Sequence, residues 1–264
     1  MIRFGGGRRG SFTLGLIIAA ITLISYYGSS DVNQITGEKQ YVAMSPDQEI
    51  ALGLQSAPQM ANQYGGLSQD SRKASIVDII GKKIVAGSAV KNTNWNFQFH
   101  LLADKKTINA FALPGGQVFI TEGLFDKLST EDEIAGVLAH EIGHVIARHG
   151  AQHLAKQRLA NGMTAATVVA TGDNSSGQMA AMIGQMVNLK YGRNDEIQSD
   201  VLGVRFMSEA GYDPNALIDV MHILAKEAGS GRTPEFFSSH PNPENRIENI
   251  KEAIRKQNDT TKYN

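Results

Sequence analysis

Residues 130–146 read Thr130-Glu131-Asp132-Glu133-Ile134-Ala135-Gly136-Val137-Leu138-Ala139-His140-Glu141-Ile142-Gly143-His144-Val145-Ile146. Thr130 and Glu133 form a capping box, acidic residues fill the first turn, and Ile134, Val137, Leu138 and Val145 recur at helical spacing. The stretch therefore predicts a helix, ending near His149-Gly150. On it His140 and His144 are separated by about 40° of rotation, so both imidazoles leave one face about 6 Å apart and can hold a single Zn²⁺. A metal lowers the pKa of a water it binds towards about 7, and Glu141 is placed to take that water's proton as it attacks a carbonyl. A glutamate between two histidines on an apolar helix has no evident packing use. These residues point to the chemistry of a zinc peptidase.

Catalytic zinc needs a third protein ligand. A histidine at the metzincin spacing is excluded, because that pattern wants glycine at 147 and histidine at 150 where this chain has Ala147 and Gly150. His149 lies five residues past His144, about 140° round a continuing helix, which points it away from the metal. His149 and His153 are accordingly read as surface or packing residues. A later helix, Asn194-Asp195-Glu196-Ile197-Gln198-Ser199-Asp200-Val201-Leu202-Gly203, places Glu196 and Asp200 on one face. That suits one as ligand and the other as acceptor for the outer N–H of a ligating histidine, and it equally suits a solvated helix face.

The segment Asn109-Ala110-Phe111-Ala112-Leu113-Pro114-Gly115-Gly116, then Thr121-Glu122-Gly123-Leu124, the His140 helix, the Glu196 to Asp200 helix, and Ser239-His240-Pro241 with Arg246 follow one another in order. Together they resemble the membrane-associated zinc metallopeptidases that include HtpX, BepA, LoiP and the CaaX prenyl proteases, over about Ser45 to Ile254. The resemblance implies an α+β, predominantly helical zincin domain with a small antiparallel sheet. It implies one Zn²⁺ per chain at a gluzincin-type site of His140, His144 and Glu196, with Asp200 as the acceptor behind a ligand. His240 either donates a hydrogen bond to the oxyanion of the tetrahedral intermediate, or sits over the metal as a plug, as reported for relatives of the BepA type. It can also merely precede a turn at Pro241 and a helix start at Asn242-Pro243. Arg246 orients that loop or binds a substrate carbonyl.

Before the metal helix, Phe97, Phe99 and Leu101 alternate with Gln98 and His100, and short strands from Ile108 to Ala112 and from Gln117 to Thr121 flank Pro114-Gly115-Gly116. By the same resemblance Asn109, Ala110 and Phe111 form an exposed edge that holds an extended peptide through main-chain hydrogen bonds; an ordinary core hairpin is the competing reading. With 264 residues, 42% of them apolar, and a net charge of −1, the chain can build one domain with an appendage and offers no basic surface for nucleic acid. It has no cysteine, which excludes disulfides, a thiol nucleophile, a thiolate-held metal and a lipoprotein anchor on cysteine.

Arg3, Arg8 and Arg9 precede an uncharged run from Ser11 to Gly28, so residues 1–30 read as a signal anchor, or a signal peptide cut near Gly28-Ser29-Ser30. The charge bias keeps the N-terminus cytoplasmic and puts the catalytic part across a bacterial inner membrane, in the periplasm. A polar linker from 31 to 44 leads to Ser45-Pro46-Asp47-Gln48, a helix start, and the peptidase domain is expected over 45–256. One helix should end near Gly65-Gly66 and another cover Ser71 to Ala86. Met179, Met182, Ile183, Met186 and Val187 form a helical stripe, read as core or as a mobile flap or membrane-dipping helix. Asp213-Pro214 and Asn242-Pro243 start two final helices, and 257–264 is a polar tail. The expected activity is zinc-dependent cleavage of peptide bonds in unfolded or misfolded envelope proteins. The rivals are a zinc-dependent periplasmic chaperone or assembly factor with latent proteolysis, against which an intact Glu141 argues, and hydrolysis of a small non-peptide substrate.

Overall fold

The computed structural model describes residues 8–171, 191–229, 234–241 and 245–262. Arg3, the stripe from Met179 to Val187, and the Asn242-Pro243 helix start lie outside the described residues. The chain divides into two compact units, one of residues 1–44 with 151–189 and one of residues 45–150 with 190–264.

The first unit contains helix α1 (Arg8–Gly28), which over Gly10–Gly28 is long and apolar enough to cross a membrane and leaves 6% of its most apolar window buried. The stretch read as a linker folds into a two-stranded hairpin, β1 (Ser30–Val32) with β2 (Lys39–Tyr41), in which the buried Asn33 Nδ2 donates to Gln40 Oε1 at 3.2 Å. Among the described residues helix α6 (His149–Thr171) supplies the rest, and a β-carbon added at Gly15 of α1 would fall 2.7 Å from Ala166 O and from Ala170 Cβ.

The second unit carries the chemistry. Its helices are α2 (Pro46–Gln63), α3 (Ser71–Gly87), the short α4 (Glu122–Phe125), α5 (Glu131–Ile146), α7 (Arg193–Glu209), α8 (Ala216–Gly229), the short α9 (Phe236–Ser239) and α10 (Arg246–Lys262). α2 opens on the expected capping box, Ser45 with Gln48, and α5 on Thr130 with Glu133. α10 runs on through residues expected to form a frayed tail. The small sheet has the order β3 (Gln98–Leu102), β5 (Gln117–Thr121), β4 (Ala110–Leu113). β4 and β5 form the antiparallel hairpin, closed by Gly115 at φ +86° and Gly116 at φ +112°, and β3 runs parallel to β5. Positive φ at both turn positions is the reason they are glycines.

α5 is the axis of this unit. Every residue from Ile134 to Ile146 is buried, because α7, α8, α3 and the sheet close round it. A helix hydrophobic on all sides belongs at the centre of a core, and here the centre also holds His140, Glu141 and His144. The closest neighbour is α7. A β-carbon on Gly143 would lie 2.9 Å from Ser199 O, and one on Gly203 would lie 3.3 Å from His140 N. Glycine at these two positions lets the two backbones meet.

α5 is shorter than its periodicity suggests. It ends at Ile146, Ala147 caps it, and Arg148 takes φ +55°, after which α6 starts at His149. A left-handed arginine persists only where the surroundings hold it. Buried Glu49 on α2 does so, accepting from Arg148 Nε at 2.9 Å and from an Nη at 2.6 Å.

Replacing Gly143 by alanine should force α5 from α7 and destabilise the protein by about 1–3 kcal/mol, the range for overpacking a core. Thermal denaturation checks this, with a drop of about 2–4 °C expected for each kcal/mol.

Candidate metal centre

α5 supplies His140 and His144 one turn apart with Glu141 between them, and α7 supplies Glu196 from the opposite side of the glycine contact. His140 Nε2 and His144 Nε2 converge to 3.1 Å, and the Glu196 carboxylate lies 3.5 Å from the first and 3.4 Å from the second. His240 follows α9 and turns Nδ1 into the same space, 3.1 Å from Glu196 Oε1 and 3.4 Å from His140 Nε2. The four donors lie within 4.8 Å of one another and all four residues are buried. Two imidazole nitrogens and a carboxylate aimed at one point, far from water, are a donor set for Zn²⁺. Both carboxylate oxygens of Glu141 are buried without a hydrogen-bond partner among the described residues, as is His240 Nε2, 3.6 Å from Glu141 Oε1. Buried polar groups are rarely left so unless a ligand completes them.

Behind the donors, Asp200 and Arg246 fix the geometry. Asp200 Oδ1 accepts from His140 Nδ1 at 2.9 Å, so the other ring nitrogen is left for a metal. Arg246, 2% exposed, donates to Asp200 through Nε at 2.7 Å and through an Nη at 2.8 Å, and its other Nη lies 3.1 Å from Glu196 Oε2. Burial opposes the charge on both carboxylates. It is outweighed at Asp200 by Arg246 and His140, and at Glu196 by His240, His140 and His144, so both are held below the usual carboxylate range. Burial likewise works against charging His140, yet Asp200 and Glu196 raise its pKa to about 9. His144 has less help, and burial lowers it well below the ordinary histidine value. Burial raises Glu141. Ionisable groups pushed in opposite directions within one cluster mark a functional site.

His140, Glu141, His144, Glu196, Asp200, His240 and Arg246 are thus brought together. Arg246 lies against two carboxylates, Asp200 and the donor Glu196. The proposed substrate edge is only partly free. β4 is an edge strand, but Asn109 and Ala110 are buried and Phe111 is half-buried. Phe111 stacks on Phe119 at 4.9 Å, and Asn109 Nδ2 donates to Tyr64 Oη and Glu235 Oε1, each at 3.2 Å. The Phe236 N–H donates to Ile108 O at 3.1 Å, so the segment that carries His240 already bonds to the start of this edge.

Two contributors were not foreseen. Tyr191 stacks on the His144 ring at 3.9 Å between centroids, and its N–H donates to Ser239 O at 2.9 Å; no spacing ties it to the site in sequence. His149 corrects an expectation, since it is buried behind His144, with Nδ1 2.9 Å from His144 Nδ1. The expected direction assumed a helix continuing through 149, and the left-handed Arg148 breaks that helix. His153 is half-buried.

A buried pair of helix-borne histidines facing a carboxylate, with a second buried glutamate beside them, defines the zinc metallopeptidase class. Residues 71–254 match peptidase family M48, and the chain belongs to that family. It is 29% identical over 235 residues to the mitochondrial metalloendopeptidase OMA1 of Schizosaccharomyces pombe, covering 88% of this chain and 68% of that protein. It is 28% identical over 246 residues to the beta-barrel assembly-enhancing protease of Escherichia coli, covering 88% of this chain and 50% of that one. A putative protease of the same description from Vibrio cholerae is 29% identical over 235 residues, 85% of this chain and 47% of its own length. The chain spans about half the length of the two bacterial relatives.

Asp200→Asn should weaken zinc binding about 10–100-fold, the usual cost of losing the group that orients a ligating histidine. Competition with a chromogenic chelator measures it.

Proposed function

We propose that this chain is a zinc-dependent endopeptidase that cuts unfolded or misfolded proteins at the bacterial envelope. The observation that carries the reading is Glu141, buried and without a hydrogen-bond partner among the described residues, beside converging His140, His144 and Glu196. Those three residues would hold the metal, which when bound supplies a Lewis acid for the scissile carbonyl. Glu141, its pKa raised by burial, takes the proton of the attacking water and returns it to the leaving amine. Asp200 and Arg246 keep His140 and Glu196 in place, and β4 offers the edge along which an extended chain would lie. The names of the relatives, a metalloendopeptidase and a beta-barrel assembly-enhancing protease, support a role in protein quality control. α1, whose apolar span from Gly10 to Gly28 is preceded by Arg8 and Arg9, supports an inner-membrane tether or a signal peptide, with the peptidase unit in the periplasm.

A second observation favours a resting state that is closed. His240 turns Nδ1 into the donor cluster, and Phe236 four residues earlier bonds to Ile108 at the substrate edge. One movement of this segment would free both the metal face and the edge. The latent, chaperone-like alternative rests on the same contacts.

The full-length protein in detergent, given casein, should cleave it, and Glu141→Gln should not while binding as much zinc. Chelation should abolish cleavage and added zinc restore it. Equal cleavage by the glutamine variant would refute the assignment of Glu141. His240→Ala should raise the rate several-fold if the ring gates the site, whereas loss of an oxyanion donor would lower it about 10²–10³-fold.

A further inference from the structure

The two histidines of α5 have unlike partners on the side away from the donor cluster. His140 Nδ1 meets the Asp200 carboxylate that Arg246 holds. His144 Nδ1 meets Nδ1 of His149 at 2.9 Å, and His149 Nε2 lies 2.8 Å from Gln198 Oε1. His149 is 1% exposed, with Ser199 Oγ 3.4 Å from its Nδ1 and Asp195 Oδ1 3.9 Å from its Nε2.

Two ring nitrogens facing each other at this distance share one hydrogen. His144 Nε2 points into the donor cluster, where a metal needs its lone pair, so His144 carries its hydrogen on Nδ1 and donates it to His149 Nδ1. His149 then carries its own hydrogen on Nε2 and donates it to the Gln198 carbonyl oxygen.

We infer that His149 is a positioning residue for the metal site, locking His144, with the help of Gln198, in the tautomer whose Nε2 lone pair faces the ion. This rests on the reading of His140, His144 and Glu196 as ligands. An imidazole behind His144 directs that ring as a carboxylate would, without adding a negative charge beside Glu141, Glu196 and Asp200. The left-handed Arg148, held by Glu49, is the backbone device that turns His149 back towards α5.

The test uses the full-length protein in detergent and reads the zinc dissociation constant by chelator competition, beside kcat and KM on casein. His149→Phe keeps a buried ring and removes the acceptor; His149→Asn sets a carbonyl oxygen near the old Nδ1. The phenylalanine variant should bind zinc about 10–100-fold more weakly and lose kcat with little change in KM, and the asparagine variant should recover most of both. Should the phenylalanine variant not fold, Gln198→Leu reads the relay from its other end and should weaken zinc several-fold. Unaltered zinc affinity in His149→Phe, or in Gln198→Leu where that variant replaces it, overturns the inference. So does equal weakening in the phenylalanine and asparagine variants. If the unaltered protein itself binds no zinc, the ligand reading fails and this inference with it. Tight binding by the unaltered protein beside an unmoved variant overturns the inference alone.

Discussion

Where α5 meets α7, Gly143 lies against the backbone of Ser199 and Gly203 against the backbone nitrogen of His140, and added β-carbons would press on both. That contact sets the distance from which Glu196 reaches His140 and His144, and from which Asp200 reaches the back of His140. A helix pair spaced by larger side chains would leave the carboxylates short of the imidazoles. The cluster is completely buried, which makes each charge there strongly felt.

Burying so many ionisable groups is costly unless every charge has a partner. Arg246 answers two carboxylates at once, and His140 is bound to the nearer of them, so the back of the cluster is balanced without a metal. The front is different. Glu141 has no hydrogen-bond partner among the described residues and His144 is pushed towards neutrality by burial. The charges are thus paired behind, while Glu141 in front is left for a metal and a peptide to complete.

The short segment from Glu235 to His240 touches both halves of the proposed machinery. Glu235 accepts from Tyr64 Oη at 2.6 Å and from Asn109, Phe236 bonds to Ile108, and His240 stacks on Phe236 at 4.4 Å while facing the donors. Contacts to residues distant in the chain hold the segment in place beside the start of β4, so the position of His240 and the surroundings of that edge are linked through one small element.

Much of this was legible in the sequence, because local rules govern it. Capping residues announced the starts of α2 and α5, glycine and proline announced the hairpin turn, and helical spacing put His140, Glu141 and His144 together. The run after Arg8 and Arg9 announced a helix able to cross a membrane. What escaped depended on residues distant in the chain. Arg148 breaks α5 because Glu49, 99 residues earlier, holds it left-handed, and so His149 faces His144 instead of pointing away. β3 joins parallel to β5, a pairing that alternation of side chains does not specify. The sequence by itself determined which groups could do chemistry, since residue type and helical period are local properties. Only the tertiary structure decided their partners and protons, since long-range packing chooses which buried polar groups meet.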